Sequence, residues 1–522
     1  MDSVAETIRE LKNIWTARNL RIAQMYEMRR LLNPRYRKDY ESAVTNTPKV
    51  LIRLGRFLLS SAPVIHAIAS GLDEAEAELN ASCERALSSI WRSNDETRRR
   101  AGKRPWRVEL SDYMLMTGFY AVVVAVRQGP EFIADIWNPT QTYPEWGEGD
   151  VGLERVAYSY TLSARSAERR AKELEWKTPE NWPGSRKSVV VDLLWEQQDD
   201  VSVQSVVLDG TMAVERRETE FPRIPVIIGT VGGEATWGGY SDSDANWAKY
   251  YGESFLEANY DVIDAYNRWL TYQLQLVRDT TYRAVAKRGN FDVTVDDLKA
   301  GKIVDLGTDP SAMLGPIAMP PFPPQLETIR AEFQTQMEQG GFTRAMLNTF
   351  GSPPPSGFAL SQMLTAAYAA IGEHHQAAQS LISEIDTIWL TEVRRKKLRS
   401  FKITTRKPGV PGLIREEFSA KSVPEDVMVE ATFKLAAPDD KMERLNAARI
   451  ASPQGPLLDT QTILEELVGV PDAVLIMSRL DNDEAKQLPE MKSVRMAKAL
   501  RRAELALRRA KKPDKDLADA IG

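Results

Sequence analysis

The chain has 522 residues, of which 43% are hydrophobic and 27% charged, and its formal net charge is −5 at pH 7. This composition is typical of a globular protein of three or four domains, and it excludes a disordered chain or one that is basic throughout. The single cysteine, Cys83, excludes an intramolecular disulfide, disfavours a structural zinc site and indicates a reducing compartment such as the cytoplasm.

The N-terminus does not have the features of a secretory signal, because its first residues are acidic and no apolar core follows them. The most apolar early segment, residues 50–69, contains Arg53, Arg56 and Pro63. Crossing a bilayer takes about 20 uninterrupted apolar residues. We therefore expect a protein without a membrane span.

The hydrophobic period changes along the first half of the chain. Over residues 2–70 apolar side chains recur at helical spacing, which predicts helices interrupted at Pro34 and Pro63. From about residue 106 to about residue 232, short runs of β-branched and aromatic residues predict strands. Asp209 and Gly210 lie between two such runs and predict a hairpin with a tight turn. These patterns predict an α+β domain.

The most distinctive stretch lies between residues 255 and 398. Two long helical segments flank an insert at residues 288–324, which ends in a proline-rich connector. A glycine- and proline-rich loop at 348–357 then opens a third helix of about forty residues. Strand-type segments at 401–405 and 427–433 are expected to return to the α+β domain. This order of helix, insert, helix, loop and helix contains no group of residues typical of a catalytic site.

The first of these long helices carries apolar residues in two series with a seven-residue period. The stripe is compatible with an ordinary core helix and with a helix that packs against neighbouring chains in an assembly. The assembly interpretation makes the following residues candidates for a subunit interface: Leu256, Ile263, Trp269, Leu270 and Val277.

Sequence motifs for catalysis and metal binding are weak. The GxGxxG at 147–152 lacks the flanking strand and helix of a dinucleotide site, so we interpret it as a turn. His66 is expected to be a buried, hydrogen-bonded residue, and His374 and His375 are adjacent and cannot chelate one ion from a single helix face. Carboxylates cluster near residues 242 and 481 without a calcium-loop pattern. We expect no catalytic residues, no metal and no cofactor.

The C-terminal segment from Met491 to Lys512 contains nine Lys or Arg residues and one Glu. A solvated surface helix and a helix that contacts DNA phosphates both fit this pattern. The candidates for DNA contact are Arg495, Lys498, Arg501, Arg502, Arg508 and Arg509.

The order of these segments resembles the portal proteins of tailed bacteriophages over most of the chain. The resemblance lies in several local segments taken together: Phe132–Pro144, Arg223–Ile228, Gly301–Val304, Gly351–Leu360, Ala437–Lys441 and Thr460–Gly469. One departure is the run Pro353, Pro354 and Pro355, which makes the corresponding loop stiffer than the family pattern.

The resemblance implies a predominantly helical α+β fold with portal-type architecture. A wing would span 1–250, completed by 400–436, and the stem helices would be 251–287 and 325–347 around a clip at 288–324. A tunnel loop and long tunnel helix would follow at 348–399, and a helical crown at 437–522. The loop residues implied to line a DNA channel are Asn348, Ser352, Pro353, Pro354, Pro355 and Ser356.

The resemblance also implies the function. Portal proteins form a homo-oligomeric ring, commonly of twelve subunits, at one vertex of the virion, and assemble in the host cytoplasm. The ring is a channel for double-stranded DNA during packaging and ejection. Its implied partners are the terminase large subunit, the head–tail adaptor, and the major capsid and scaffolding proteins. Two alternatives stay open: a nucleic-acid-processing enzyme with an acidic metal site, and another phage connector or baseplate subunit.

Overall fold

The computed structural model describes residues 3–32, 42–68, 74–147, 152–178, 188–233, 248, 251–281, 285–288, 310–311, 313–316, 325–342, 368–405 and 413–435. The chain divides into two compact units. Unit 1 comprises Met1–Ala69, Arg92–Leu398 and Val423–Ala437, and unit 2 comprises Ser70–Trp91, Arg399–Ser422 and Pro438–Gly522. Helices and antiparallel strands make up the described part, so the fold class is α+β.

The described helices are α1 (Val4–Ile14), α2 (Thr16–Arg29), α3 (Thr47–Ser60), α4 (Glu74–Arg100), α5 (Trp106–Thr117), α6 (Ala164–Glu173), α7 (Tyr260–Thr281), α8 (Gln325–Gln339) and α9 (Gly372–Arg395). The strands are β1 (Ile65–Ile68), β2 (Phe119–Arg127), β3 (Glu131–Trp137), β4 (Thr142–Trp146), β5 (Leu153–Ser163), β6 (Ser188–Gln198), β7 (Val201–Leu208), β8 (Thr211–Glu218), β9 (Val226–Thr230), β10 (Val285–Arg288), β11 (Met313–Pro316), β12 (Phe401–Thr405), β13 (Ile414–Phe418) and β14 (Val429–Thr432).

Unit 1 contains two larger sheets. A five-stranded meander has the order β4-β5-β6-β7-β8, and a three-stranded sheet has the order β3-β2-β9. Every pair in both sheets is antiparallel. Side chains of both sheets meet in one core, where the Trp137 and Tyr158 rings stack with centroids 4.3 Å apart.

The hairpin turn predicted at Asp209 and Gly210 is confirmed. Asp209 and Gly210 join β7 to β8 with φ values of 46° and 84°, as a tight hairpin turn with two left-handed residues requires. The glycine motif at 147–152 lies between β4 and β5, and Gly147 donates its N–H to the Gly152 carbonyl at 2.9 Å, while residues 148–151 lie outside the described residues. A strand follows the motif where a dinucleotide site needs a helix.

The first helix packs on the five-stranded sheet. Ser3 and Glu6 form a capping box that satisfies backbone donors at the start of α1. One face of α1, with Ile8 and Leu11, is buried against Leu194 and neighbouring apolar residues of the sheet. The helical spacing at the N-terminus therefore reflects a docked helix.

Arg18 of α2 is fully buried and closes the open edge of β4. Its Nη2 donates to the carbonyl oxygens of Pro139 and Thr142 at 2.9 Å each, and its guanidinium lies 4.2 Å from the Trp15 ring centroid. Trp15 Nε1 donates to the carbonyl oxygen of Pro144, two residues further along β4, at 2.9 Å. Burial lowers the Arg18 pKa to about 9, and the hydrogen bonds and ring contact offset part of this desolvation cost.

Strand β1 lies where the sequence pattern predicts helix. Pro63 ends the helical run, and residues 65–68 alternate between exposed and buried positions as β1 pairs with β14. His66 is buried, and its Nδ1 lies 2.7 Å from Asp386 Oδ2 of α9. The prediction of a buried, hydrogen-bonded histidine is therefore confirmed. The hydroxyls of Ser383 and Thr387 accept from backbone N–H groups of β14.

The third long helix is interrupted. A turn at Ile371 separates the helical residues 368–370 from α9, which begins at Gly372. Ile371 is fully buried in a hydrophobic cluster, and Gly372 weakens helix continuation. The prediction of one continuous helix is therefore wrong at this point, and the predicted part before residue 368 lies outside the described residues.

Unit 2 is built on the first part of α4 and the pair β12–β13. Arg85 makes two hydrogen bonds of 3.1 Å to the Glu416 carboxylate, and Phe401 packs edge-on against Phe418. Cys83 is buried, and burial raises the pKa of its thiol to about 12. Because β12 belongs to this unit, it does not complete the α+β domain as predicted, whereas β14 does lie in unit 1.

Candidate functional site: the α7–α8 hairpin and its anchor

The chain enters α7 through a hydrogen-bonded crossing that we call the anchor, residues 251–256. Phe255 N–H donates to the Leu115 carbonyl at 2.9 Å, and Glu253 N–H donates to the Val231 carbonyl at 2.9 Å. Val231 N–H in turn donates to the Gly118 carbonyl at 2.7 Å. These bonds fix the base of α7 to the corner between α5 and β2.

Two glycines make the crossing possible. Gly118 ends α5 with φ 60°, and a Cβ there would lie 2.1 Å from the Glu253 backbone nitrogen. Gly252 has φ 77°, and a Cβ there would lie 2.3 Å from the Gly118 carbonyl oxygen. Neither position tolerates a side chain, because backbone atoms cannot rotate out of the way.

A hydrophobic cluster surrounds the anchor. Phe255 packs on Phe342, which follows α8, with centroids 4.9 Å apart, and on His374 of α9 at 5.9 Å. The cluster joins residues from three helices, α2, α3 and α5, and from the segments next to α7, α8 and α9: Met25, Leu51, Ile52, Leu58, Leu59, Leu115, Met116, Phe255, Leu256, Phe342 and Ile371. The bases of α7 and α8 and the start of α9 therefore share one core.

Helices α7 and α8 form a hairpin. Asn259 Nδ2 donates to the Met337 carbonyl at 3.1 Å, and further along Tyr266 packs on Phe333 with ring centroids 5.9 Å apart. Gly340 allows this approach, since a Cβ there would lie 2.6 Å from Asn259 Oδ1. The sequence-based assignment of two long helices agrees with this arrangement, but the predicted bounds of the first, 251–287, are too wide. The helix spans Tyr260–Thr281, and residues 285–288 form β10.

Residues 43–45 lie along another side of α7. Asn267 Oδ1 accepts from Thr45 N–H at 2.8 Å, and Thr271 Oγ1 accepts from Ala43 N–H at 3.0 Å. Asn267 and Thr271 are one turn apart and buried within the apolar stripe. These two polar positions on one helix face were a sequence signal for this contact, but the prediction of an apolar stripe did not include it.

Burial of the predicted interface residues falls along α7 away from the anchor. Leu256, Ile263 and Trp269 are buried within the chain, Leu270 is half-buried and Val277 is 57% exposed. Packing within the protomer therefore removes the first three from the surface that another subunit could contact. Leu274 is 40% exposed and Ile329 of α8 is 41% exposed, and both lie toward the far end of the hairpin.

His374 is a buried histidine whose two ring nitrogens have no hydrogen-bond partner among the described residues. Burial lowers its pKa from 6.5 to about 4, since the apolar surroundings disfavour the imidazolium. The unfolded chain therefore binds a proton at a higher pH than the folded one. The contribution of the neutral His374 side chain to the free energy of unfolding is fully present above pH 6.5, and it is lost as the pH falls from about 6.5 to about 4.

We expect His374→Leu to remove this part of the acid sensitivity. In urea titrations, the free energy of unfolding of the wild type should fall more steeply between pH 6.5 and 4 than that of the variant. His375, whose Nε2 lies 2.6 Å from the Phe433 carbonyl oxygen, provides the control as His375→Gln. Parallel curves for wild type and His374→Leu would contradict the assignment.

The other sequence-predicted site residues lie outside the described residues. These are the loop residues from Asn348 to Ser356, the basic residues from Arg495 to Arg509, and the carboxylates near 242 and 481. In the described part of the chain, no group of three or more His, Cys, Asp or Glu residues is placed to hold a metal ion. Searched over the same residues, no helix is long and apolar enough to span a membrane.

Comparisons with known proteins gave matches to solved structures only. No protein-family model and no curated protein matches the chain. Two similar structures are the neck of an empty GTA particle computed with C6 symmetry and the neck of a native GTA particle computed with C12 symmetry. Each is 12% identical with a TM-score of 0.41, and the alignments cover 82% and 81% of this chain and 91% and 90% of those chains. A similarity at this level carries no argument about fold or function.

Proposed function

We propose that the protein is a structural subunit of a phage head–tail connection, of the portal type, and that its copies assemble into a closed ring. The observation that carries the proposal is the graded burial of α7, which is covered near the anchor and exposed toward its far end. Apolar burial stabilises by about 25 cal/mol per Å². A neighbouring hairpin that covers this face would therefore favour association.

The anchor supports the same proposal. A helix hairpin that packs against neighbouring subunits needs a fixed orientation relative to the rest of its own chain. The backbone hydrogen bonds of the anchor, residues 251–256, fix the base of the hairpin at the corner between α5 and β2. The sequence resemblance to portal proteins, which extends over most of the chain, is independent support because it depends on the order of segments.

In this proposal the ring is a dodecamer whose axis is a channel for double-stranded DNA. Residues 348–357 line the narrow part of the channel, and the insert at 288–324 is the docking surface for the terminase large subunit and later for the adaptor. The major capsid and scaffolding proteins are further partners, and the protein is located in the virion after assembly in the host cytoplasm. The chain itself performs no catalysis.

Mass photometry of the purified protein tests ring formation. The expected species has a mass near twelve times that of the 58.7 kDa chain. Negative-stain images of the same sample should show rings with a central opening. A monodisperse monomer at every salt concentration would refute the proposal, and divalent-metal-dependent cleavage of DNA by that monomer would favour the enzyme alternative.

A further inference from the structure

Three arginines from separate segments of unit 1 converge on one carboxylate, that of Asp112 in α5. Arg29 of α2 makes two hydrogen bonds to it, of 2.8 and 3.0 Å. Arg56 of α3 lies 3.3 Å away, and Arg104, between α4 and α5, lies 3.5 Å away. We call these four residues the arginine cluster.

The cluster has more positive charge than its carboxylate can neutralise. Three guanidinium groups and one carboxylate leave a formal charge of +2, since arginine remains protonated at neutral pH. Within the described part of the chain, no second carboxylate lies within ion-pair distance of Arg29, Arg56 or Arg104. The nearby Glu109 pairs with Arg98.

Among the described residues, repulsion between the positive charges of this cluster is unfavourable. Arg29 already satisfies Asp112 with a two-bond pair, which is the strong geometry for this ion pair. The Asp112 side chain is only 18% exposed, so water screens the repulsion among the guanidinium groups less than at an open surface. An external anion at the cluster would offset this repulsion.

The cluster is also held in place and accessible. Arg98 Nε donates to the Arg104 carbonyl at 3.1 Å, which fixes the loop that carries the third arginine. The Arg104 side chain is 59% exposed, and Arg56 and Arg104 each use a single N–H toward Asp112. Each guanidinium has five N–H donors, so several remain for a ligand.

We propose that the arginine cluster binds backbone phosphate groups of duplex DNA. Guanidinium groups match the geometry of phosphate oxygens, and clustered arginines are the usual protein ligands of phosphate groups. The choice of DNA as the source of the phosphate rests on the proposed function, which brings the ring and duplex DNA together. The site is separate in sequence from the basic C-terminal segment.

The test measures the binding of a short fluorescent DNA duplex to the full-length protein. Fluorescence anisotropy gives the association constant K at each of several salt concentrations. The variant Arg56→Gln with Arg104→Gln removes the surplus charge and keeps the Arg29–Asp112 pair. The slope of log K against log salt should decrease by about two, since each Lys or Arg that contacts a phosphate contributes about one. Replacement of both residues by lysine should restore most of the slope.

The matched control is Arg169→Gln with Lys172→Gln. These two exposed cations of α6 pair with Glu173 and Glu168 one turn away, so their removal changes the net charge equally at a different place. The control slope should equal that of the wild type. An unchanged slope in the Arg56/Arg104 variant, or equal decreases in both variants, would overturn the proposal.

Ring formation of the same variants is measured in parallel by mass photometry, so that the two proposals fail separately. Wild-type protein that forms rings without binding the duplex would overturn the phosphate site and leave the proposed function standing. Loss of rings in the Arg56/Arg104 variant with an unchanged slope would show that the cluster pairs with carboxylates of a neighbouring subunit, which also overturns the site.

Discussion

Replacing Gly252 with alanine should destabilise unit 1 by at least about 3 kcal/mol, among the largest effects expected for a single methyl group. The added Cβ would lie 2.3 Å from the Gly118 carbonyl oxygen and 2.8 Å from its carbon. Relief of this contact requires the anchor to separate from the α5–β2 corner, with loss of its backbone hydrogen bonds. Chemical denaturation followed by tryptophan fluorescence measures the change.

Gly102→Ala is the matched control. Gly102 has φ 71°, close to the 77° of Gly252, but nothing lies within 4 Å of the position its Cβ would take. Its cost should therefore be limited to the left-handed conformation, about 1 kcal/mol. Equal losses of stability in the two variants would contradict the close backbone contact between Gly252 and Gly118.

The paired substitution Leu274→Asp and Ile329→Asp should abolish ring assembly while the protomer stays folded. Both leucine and isoleucine are partly exposed on the hairpin, so a carboxylate is solvated in the monomer and desolvated in the assembly. Loss of the two apolar contacts should cost each interface about 3 kcal/mol, more than a hundredfold in the association constant. Mass photometry measures the loss of the ring.

The control for assembly is Leu20→Asp with Leu32→Asp. These two leucines are at least as exposed as Leu274, and neither belongs to the hairpin: Leu20 lies in the first half of α2 and Leu32 follows the end of that helix. The control should keep the wild-type mass distribution. Rings that form normally from the Leu274/Ile329 variant would show that the far end of the hairpin does not face a neighbouring subunit.

Local patterns were sufficient to predict several elements. The hairpin at Asp209 and Gly210 follows from a dipeptide whose backbone preference is strong, and α8 ends at Gln339 before the glycines at 340 and 341. The α+β class follows from the change of period near residue 106. The buried state of His66 was likewise predictable from its apolar neighbours.

Features that depend on distant segments were not predictable. β1 is a strand because β14, far along the chain, offers a partner. Ile371 interrupts a helix because it is buried in a core formed with α2, α3, α5 and the segments next to α7 and α8. The burial of Arg18 depends on two carbonyl acceptors, those of Pro139 and Thr142, which lie more than a hundred residues away in the chain. The anchor glycine Gly252 had no local signal, since its constraint is the backbone of α5.

The cover that Trp15 and Arg18 place on β4 also affects how the protein avoids aggregation. An uncovered edge strand offers unpaired carbonyl groups to the edge of another copy, and this risk grows where many copies are synthesised at one place. The covering residues precede β4 by more than a hundred positions in the chain. During synthesis α1 and α2 therefore leave the ribosome first, and the edge can be closed as soon as the strand forms.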